Sequence, residues 1–196
     1  MLAWAEYTKF FLALIVIVNP LGAVPLFVSM TEQHTRDEKL RISRVASTAV
    51  AIVLILSAIA GEPLLGFFGI TIASFKVGGA ILILLLAISM MHAAPTREKQ
   101  TPEEAREAED KESIAVVPIA IPLLSGPGAM STTIIFAAER SSPAHIVMIV
   151  VCCVLVSLLT YIALRAATTV SRLLGRTGVN IASRIMGLLL AAVAVE

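Results

Sequence analysis

Long apolar runs alternate with short polar segments along the whole chain. The six apolar runs cover residues 7–30, 45–60, 72–91, 114–138, 144–164 and 179–196. A transmembrane helix needs about 20 mostly apolar residues to cross the hydrocarbon core of a bilayer. The pattern therefore predicts an all-α membrane protein with six transmembrane helices.

Proline and glycine interrupt the first and fourth of these runs. Residues 19–22 read Asn-Pro-Leu-Gly, and residues 125–128 read Ser-Gly-Pro-Gly. An interior proline removes a backbone donor and clashes with the carbonyl four residues earlier. In lipid, broken backbone persists only where it faces protein or a watery cavity. We therefore predict that helices 1 and 4 are broken, a pattern that marks the binding site in many transporters.

An internal repeat relates the two halves of the chain. Residues 64–74 and 173–183 are identical at seven of eleven positions, and Gly187 falls in register with Gly78. Each half holds three runs, and an odd number of spans forces the second copy to enter the membrane upside down. We predict two inverted three-helix repeats, residues 1–92 and 114–196, joined by a cytoplasmic polar linker at 93–113.

Basic residues concentrate on one side of this predicted topology. Eleven lysines and arginines lie in the connections 1–2, 3–4 and 5–6, whereas only Lys9 and Arg140 lie on the other side. Cytoplasmic loops carry the excess of basic residues. The distribution predicts a multi-pass membrane protein with both termini on the side away from the cytoplasm; the resemblance described below implies the bacterial inner membrane, and hence a periplasmic or extracellular location for both termini.

Composition excludes several classes of protein. The chain is 58% hydrophobic and 15% charged, whereas soluble domains are about 25% charged. The net charge of +1 and the lack of a basic arm argue against nucleic-acid binding. We find no nucleophile–base pair, no metal motif and no cofactor motif, so we expect neither an enzyme nor a metalloprotein. Cys152 and Cys153 are adjacent within an apolar run and are expected to fill space there.

The two interrupted motifs are the candidate substrate site. Asn19 suits a helix N-cap with Pro20 in the first turn, and Gly126 or Ser125 with Pro127 repeats the arrangement. Such half-helix N-termini would converge near the midplane and attract a carboxylate, with hydroxyls and carbonyls available to an ammonium group. The predicted substrate-binding residues are Asn19, Pro20, Gly22, Ser125, Gly126, Pro127, Gly128, Ser131 and Thr132.

Few charged residues lie inside the predicted spans. Lys76 and Arg184 sit about one turn inside runs three and six, where they either serve the substrate or a structural pair, or snorkel to the interface. Because no acidic residue lies deep in a run, coupling to Na⁺ or H⁺ is left open and would use carbonyls, hydroxyls and Asn19, or a glutamate at the outer boundary. The histidines lie near run ends and are expected to be solvated or interfacial: His34, His92 and His145.

Three segments resemble the MarC family of bacterial inner-membrane proteins. They are NPLGAVPLF at 19–27, PIAIPLLSGPGA at 118–129 and IASRIMGLL at 181–189, and the likeness extends over essentially the whole chain. The resemblance implies a six-span protein related to the LysE group of amino-acid exporters, some of whose members are described as neutral amino acid transporters. Members of that family usually continue several residues past the position of Glu196, which leaves the completeness of span six open.

These observations predict a secondary transporter, either an exporter or a symporter, of small solutes, with small neutral amino acids as the expected substrates. The predicted partners are a small-molecule substrate and the lipid bilayer, and homo-oligomerisation is left open. Two alternatives remain. Converging Asn-Pro half-helices also resemble a passive, aquaporin-like channel, and a non-transporting membrane scaffold or sensor would fit the same composition.

Overall fold

The computed structural model describes residues 4–91, 124–140 and 142–195. The predicted linker at 93–113, the first part of the fourth apolar run and His92 lie outside these residues. The described chain is helical and contains no strand. Its helices are α1 (Trp4–Val18), α2 (Val24–Met30), α3 (Arg36–Phe67), α4 (Ile72–Met91), α5 (Pro127–Ala138), α6 (Pro143–Arg165) and α7 (Ala167–Val195).

Within residues 4–91, 124–140 and 142–195, three helices are long and apolar enough to cross a membrane: α3, α4 and α6. The interrupted first run instead forms α1 and α2, of 15 and 7 residues, and α5 has 12. Helices this short do not each span a bilayer at 1.5 Å per residue. The class of all-helical membrane protein is confirmed, whereas the count of six spans and the inverted repeat stay predictions.

Helix α3 is twice as long as the apolar run that predicts it. It begins at Arg36 because Thr35 and Glu38 form a capping box, in which each side chain accepts from the other residue's backbone N–H. At its other end it continues to Phe67 and includes Pro63. The predicted end near residue 60 is therefore wrong, since the helix accommodates Pro63 at the loss of a single backbone hydrogen bond.

The faces of α3 and α6 that point inward carry small and weakly polar residues. Ser43, Ala46 and Ser47 are buried on α3, and Cys153 and Ser157 are buried on α6. The Ser157 hydroxyl donates to the Ser47 carbonyl across this interface. Small residues allow close backbone approach, and hydroxyl bonds join helices in an environment that offers no hydrophobic driving force. The expectation that Cys153 fills space in the interior is confirmed.

The opposite faces of these helices are apolar and exposed. The exposed residues include Ile52 and Leu56 on α3, Val77 and Ile81 on α4, and Val154 on α6. Exposed apolar surface on this scale is typical of a membrane-facing surface. The most extensive interfaces pair α3 with α6 and α4 with α7, and both α3 and α4 also pack against α5.

Glycines in left-handed conformation bend the chain within both copies of the repeated segment. Gly69 has φ +68° in the turn between α3 and α4, and Gly175 has φ +60° at a kink inside α7. Glycine adopts this region without the clash that a Cβ would cause. The two glycines do not occupy equivalent positions in the repeat, because Gly175 aligns with Gly66 rather than with Gly69. The first copy therefore forms a turn, and the second changes direction at Gly175, where two helical segments of α7 meet at a kink.

Candidate solute site at two helix breaks

The first break follows Val18, where Asn19 ends α1. Asn19 has φ +46°, its N–H donates to the Ile15 carbonyl at 2.9 Å, and its Oδ1 accepts from the Gly22 N–H at 3.1 Å. A residue before proline is disfavoured in the helical region, and asparagine tolerates the left-handed one. Asn19 is therefore a C-terminal residue of α1 that closes a turn over residues 20–23.

The prediction that Asn19 caps a following half-helix, with Pro20 in its first turn, is wrong. Helix α2 begins at Val24, the residue before it is Ala23, and the proline in its first turn is Pro25. Pro20 is buried within the turn. The chain leaves α1 through this turn because the two prolines cannot both extend one helix. The break in the first apolar run is confirmed. The helix end beside Asn19 is the C-terminal end of α1, so it presents backbone carbonyls and a negative dipole end rather than the predicted N–H groups.

Gly22 leaves room for the Asn19 side chain. A Cβ atom at Gly22 would lie 2.1 Å from Nδ2 and 2.8 Å from Cγ of Asn19. The Asn19 Nδ2 also contacts Sδ of Met90 on α4, at 3.8 Å. The side chain of Asn19 is therefore fixed between its own turn and α4, and Gly22 is required for that position.

The second predicted break falls at the start of α5, and the residues immediately before Leu124 lie outside the described chain. The helix begins at Pro127 with Gly126 as the extended N-cap residue, as predicted, and no side chain caps its first turn. The N–H groups of Gly128 and Ala129 belong to that turn, where a helix offers no carbonyl acceptor. Ser125 is fully buried beside them. This end of α5 therefore presents backbone donors and a positive dipole end.

The two breaks meet in the interior. A Cβ atom at Gly128 would lie 3.6 Å from Cγ2 of Ile17, in the last turn of α1, and 3.1 Å from Cγ1 of Ile83 on α4. Val18 and Ala129 belong to one cluster of buried side chains. The carbonyl end of α1 and the N–H end of α5 are thus packed together against the middle of α4.

Hydroxyl groups line the first turns of α5. Ser131 donates to the Pro127 carbonyl at 2.6 Å, and Thr132 donates to the Gly128 carbonyl at 2.9 Å. These bonds use the hydroxyl hydrogens and leave the oxygen lone pairs as acceptors. Ser131 is 2% exposed and contacts α4 closely, since a Cβ atom at Gly79 would lie 2.9 Å from its Oγ. The turn therefore offers acceptors to a cation or an ammonium group.

The remaining predicted residues lie away from this contact. Pro127 is exposed, and so are the side chains of Lys76 and Arg184. Both charges can therefore reach lipid head groups along the helix surface. Sequence reasoning did not identify the contributions of α4, namely Gly79, Ile83 and Met90. These residues carry no local signal, because their role depends on contacts with residues far away in the chain.

Two cavities lie elsewhere in the described structure. The first, of about 380 Å³, is lined by Trp4, Tyr7, Arg140, Ser142, Ala144, His145 and Met148. The second, of about 400 Å³, is lined by Phe27, His34, Arg36, Lys39, Leu40, Ser43, Leu164, Arg165, Thr168 and Thr169. We name them the Tyr7–His145 cavity and the basic cavity. Each joins chain segments that the alternating topology assigns to one side of the membrane.

His145 is buried, so the alternative that it is solvated is wrong, while an interfacial position at the start of α6 stays a prediction. It is 2% exposed and packs against the rings of Tyr7 and Phe136. Its Nε2 lies 2.8 Å from the Phe136 carbonyl, and its Nδ1 lies 3.0 Å from the Tyr7 hydroxyl. A carbonyl can only accept, so Nε2 carries a proton and, in the neutral ring, Nδ1 accepts from Tyr7. The ring thus links α1, α5 and α6.

Replacing His145 with phenylalanine is expected to lower the free energy of unfolding by about 2 kcal/mol, because the buried Phe136 carbonyl loses its donor. Tyr7→Phe removes one bond at the cavity rim and is expected to cost about 1 kcal/mol. Titration with sodium dodecyl sulfate measures both effects. Tyr161→Phe on α6, away from this network, is the matched control. Equal stabilities for all three variants would contradict the importance of the network.

Comparison with known proteins identifies the relatives of the chain. The profile described as "MarC family integral membrane protein" matches residues 4–196. The chain is 40% identical to the UPF0056 membrane protein YhcE of Escherichia coli (strain K12) over 190 residues, which cover 97% of this chain and 88% of that protein. It is 36% identical to the UPF0056 membrane protein MJ0972 of Methanocaldococcus jannaschii, over 97% of this chain and 83% of that protein.

No solved structure matches the chain significantly. The family match nevertheless spans all the described helices, and the motifs at both breaks lie within it. The exposed apolar faces of α3, α4 and α6 agree with membrane insertion. The chain therefore belongs to the MarC family of integral membrane proteins.

Proposed function

We propose that the protein is a secondary transporter of small zwitterionic solutes in the bacterial inner membrane, with small neutral amino acids as its substrates. The observation that carries the proposal is the contact between the two breaks, in which Ile17 at the end of α1 meets Gly128 at the start of α5. Irregular backbone at membrane depth is tolerated where it is buried in protein or lines a path for solute.

The polarity of the two breaks suits a zwitterion. The last turn of α1 offers backbone carbonyls and a negative dipole end, whereas the first turn of α5 offers N–H groups and a positive dipole end. A carboxylate would bind at Gly128 and Ala129. An ammonium group would bind at the carbonyls before Asn19 and at the oxygens of Ser131 and Thr132. The residues at the contact bear no formal charge, which favours a solute of zero net charge.

Packing between the halves supports a mechanism of alternating access. The most extensive interfaces join α3 to α6 and α4 to α7, and these are equivalent helices if the halves are repeats. The bond from Ser157 to Ser47 joins positions 110 residues apart, close to the repeat offset. Such paired interfaces are expected around a pseudo-two-fold axis, about which one repeat rocks against the other. We propose that both termini lie outside the cytoplasm and that the protein is not an enzyme.

Uptake into liposomes tests the proposal. Purified protein reconstituted into liposomes is expected to take up labelled glycine, alanine or serine with saturation, and to accelerate exchange when unlabelled solute is inside. Imposed sodium and proton gradients identify any coupling ion. Uptake that rises linearly with concentration and shows no exchange would indicate a channel instead. If the protein moves none of these solutes, the assignment of neutral amino acids as substrates is wrong.

A further inference from the structure

We propose that the basic cavity binds a phosphate group, carried either by an anionic phospholipid or by a free phosphate anion. The cavity lies between the start of α3 and the junction of α6 with α7. Its lining includes Phe27 on α2, the helix that follows the first break, but no predicted substrate residue. The proposed ligand is therefore distinct from the transported solute.

The charge of the cavity is uniformly positive. Arg36 and Lys39 lie on the first two turns of α3, and Arg165 is the last residue of α6. None of the residues described around the cavity is acidic, and the structure describes no ion pair for these three side chains. The Glu38 carboxylate, in the first turn of α3, accepts hydrogen bonds from the N–H and the hydroxyl of Thr35 in the capping box. Three cations around a cavity whose described lining holds no acidic residue attract a multiply charged anion.

His34 supplies a further binding group. Its Nδ1 is buried and has no hydrogen-bond partner within the described part of the chain, although its ring contributes to the cavity wall. Buried polar atoms are almost always paired, and an exception calls for a specific explanation. A phosphate oxygen or its hydroxyl would provide that partner after a small rotation of the ring. Hydroxyls of Thr168 and Thr169, at the start of α7, add donors on the opposite wall.

The remaining wall of the cavity is apolar. Phe27 and Leu164 are fully buried there, and Leu40 is half-buried beside them. Arginines above an apolar wall, at the ends of apolar helices, are typical of pockets that bind anionic lipid head groups at the cytoplasmic side of a membrane. The volume of about 400 Å³ is enough for a head group. A free phosphate would use the same cations but not the apolar wall.

The test compares wild-type protein with two variants of equal charge. Arg36→Gln with Lys39→Gln removes two cations from the cavity, whereas Arg41→Gln with Arg44→Gln removes two cations from the next part of the same helix, outside the cavity. The full chain is reconstituted into phosphatidylcholine nanodiscs. One arm adds phosphatidylglycerol to the nanodiscs, and the other adds inorganic phosphate in solution. The thermal unfolding midpoint is measured against ligand concentration.

The wild-type midpoint is expected to rise with ligand in at least one arm, because a ligand that binds only the folded state stabilises it. Each basic residue near an anionic surface contributes about fivefold to binding. The cavity variant is therefore expected to need about 30-fold more ligand, while the control variant behaves like wild type. A response to phosphatidylglycerol alone identifies a lipid, and a response to inorganic phosphate alone identifies a free anion.

The proposal is overturned if the wild-type midpoint responds in neither arm, or if both variants lose the response equally, since that would indicate general surface charge. If the double variant of the cavity does not fold, Arg165→Gln replaces it, with an expected weakening of about fivefold. Retention of full affinity by Arg165→Gln would then count against the cavity. These outcomes are independent of solute uptake, so they do not depend on the proposed transport function.

Discussion

Asn19→Ala is expected to lower the efficiency of solute uptake about 30-fold, which corresponds to about 2 kcal/mol, and to lower the free energy of unfolding by about 3 kcal/mol. The Gly22 N–H loses its acceptor inside the protein, at a cost of about 1–3 kcal/mol. Alanine must also adopt the left-handed conformation of residue 19, which costs about 1–2 kcal/mol. Without its side-chain bond, the turn at 20–23 no longer holds the carbonyl end of α1 against α5.

Two further variants separate these causes. Asn19→Gly keeps the left-handed backbone but removes the side-chain bond, and it is expected to recover about 1 kcal/mol of stability relative to Asn19→Ala. Asn180→Ala changes an exposed asparagine on α7 and is expected to leave uptake and stability unchanged. Uptake by Asn19→Ala at the wild-type rate, in protein shown to be folded, would exclude the first break from the solute path. A scaffold without transport activity predicts instead that neither the wild type nor Asn19→Ala takes up solute with saturation.

Gly187→Val is expected to destabilise the protein by about 3 kcal/mol, because it overpacks the interface of α4 with α7. A Cβ atom at Gly187 would lie 2.9 Å from the Ala87 carbonyl oxygen and 3.0 Å from Cβ of Met90. Backbone and Cβ atoms cannot rotate away as the end of a long side chain can. The two helices would have to separate, and Met90 would move away from Asn19. Denaturation with sodium dodecyl sulfate measures the change in stability.

Gly78→Val is the matched control for this substitution. Gly78 aligns with Gly187 in the internal repeat and also lies within a helix, and a Cβ atom added to it would have no neighbouring atom within 4 Å. An exposed substitution of this kind changes stability by about 0.5 kcal/mol or less. Similar losses of stability at both positions would show that helix propensity, rather than the α4–α7 contact, determines the effect.

Apolar run length predicted the positions of the uninterrupted helices well. The run at 72–91 coincides with α4, and the run at 144–164 differs from α6 by one residue at each end. Both helices are bounded by turns and by polar or proline residues that the sequence displays locally. For α3 the same reasoning found only the apolar half, because the capping box at Thr35 adds polar turns before it.

At the candidate site, the sequence predicted which residues interrupt the helices but not which helix end lies at each interruption. Gly126 and Pro127 start a helix as expected. Asn19 is equally suited to follow a helix or to begin one, because its short side chain bonds to nearby backbone in either setting. The contact of Asn19 with Met90 joins residues that are 71 positions apart in the chain, so no local sequence pattern predicts it. His145 was misjudged for the same reason, since its partners are on α1 and α5.

Local chemistry along the chain thus determined the membrane class, the uninterrupted helices and the two places where helices cannot continue. These properties depend on hydropathy, proline geometry and capping, which act over a few residues. The tertiary structure decided which helix ends meet, and therefore that the last turn of α1 packs against the first turn of α5. It also created the buried His145 network and the basic cavity, because both require side chains from helices that are distant in sequence.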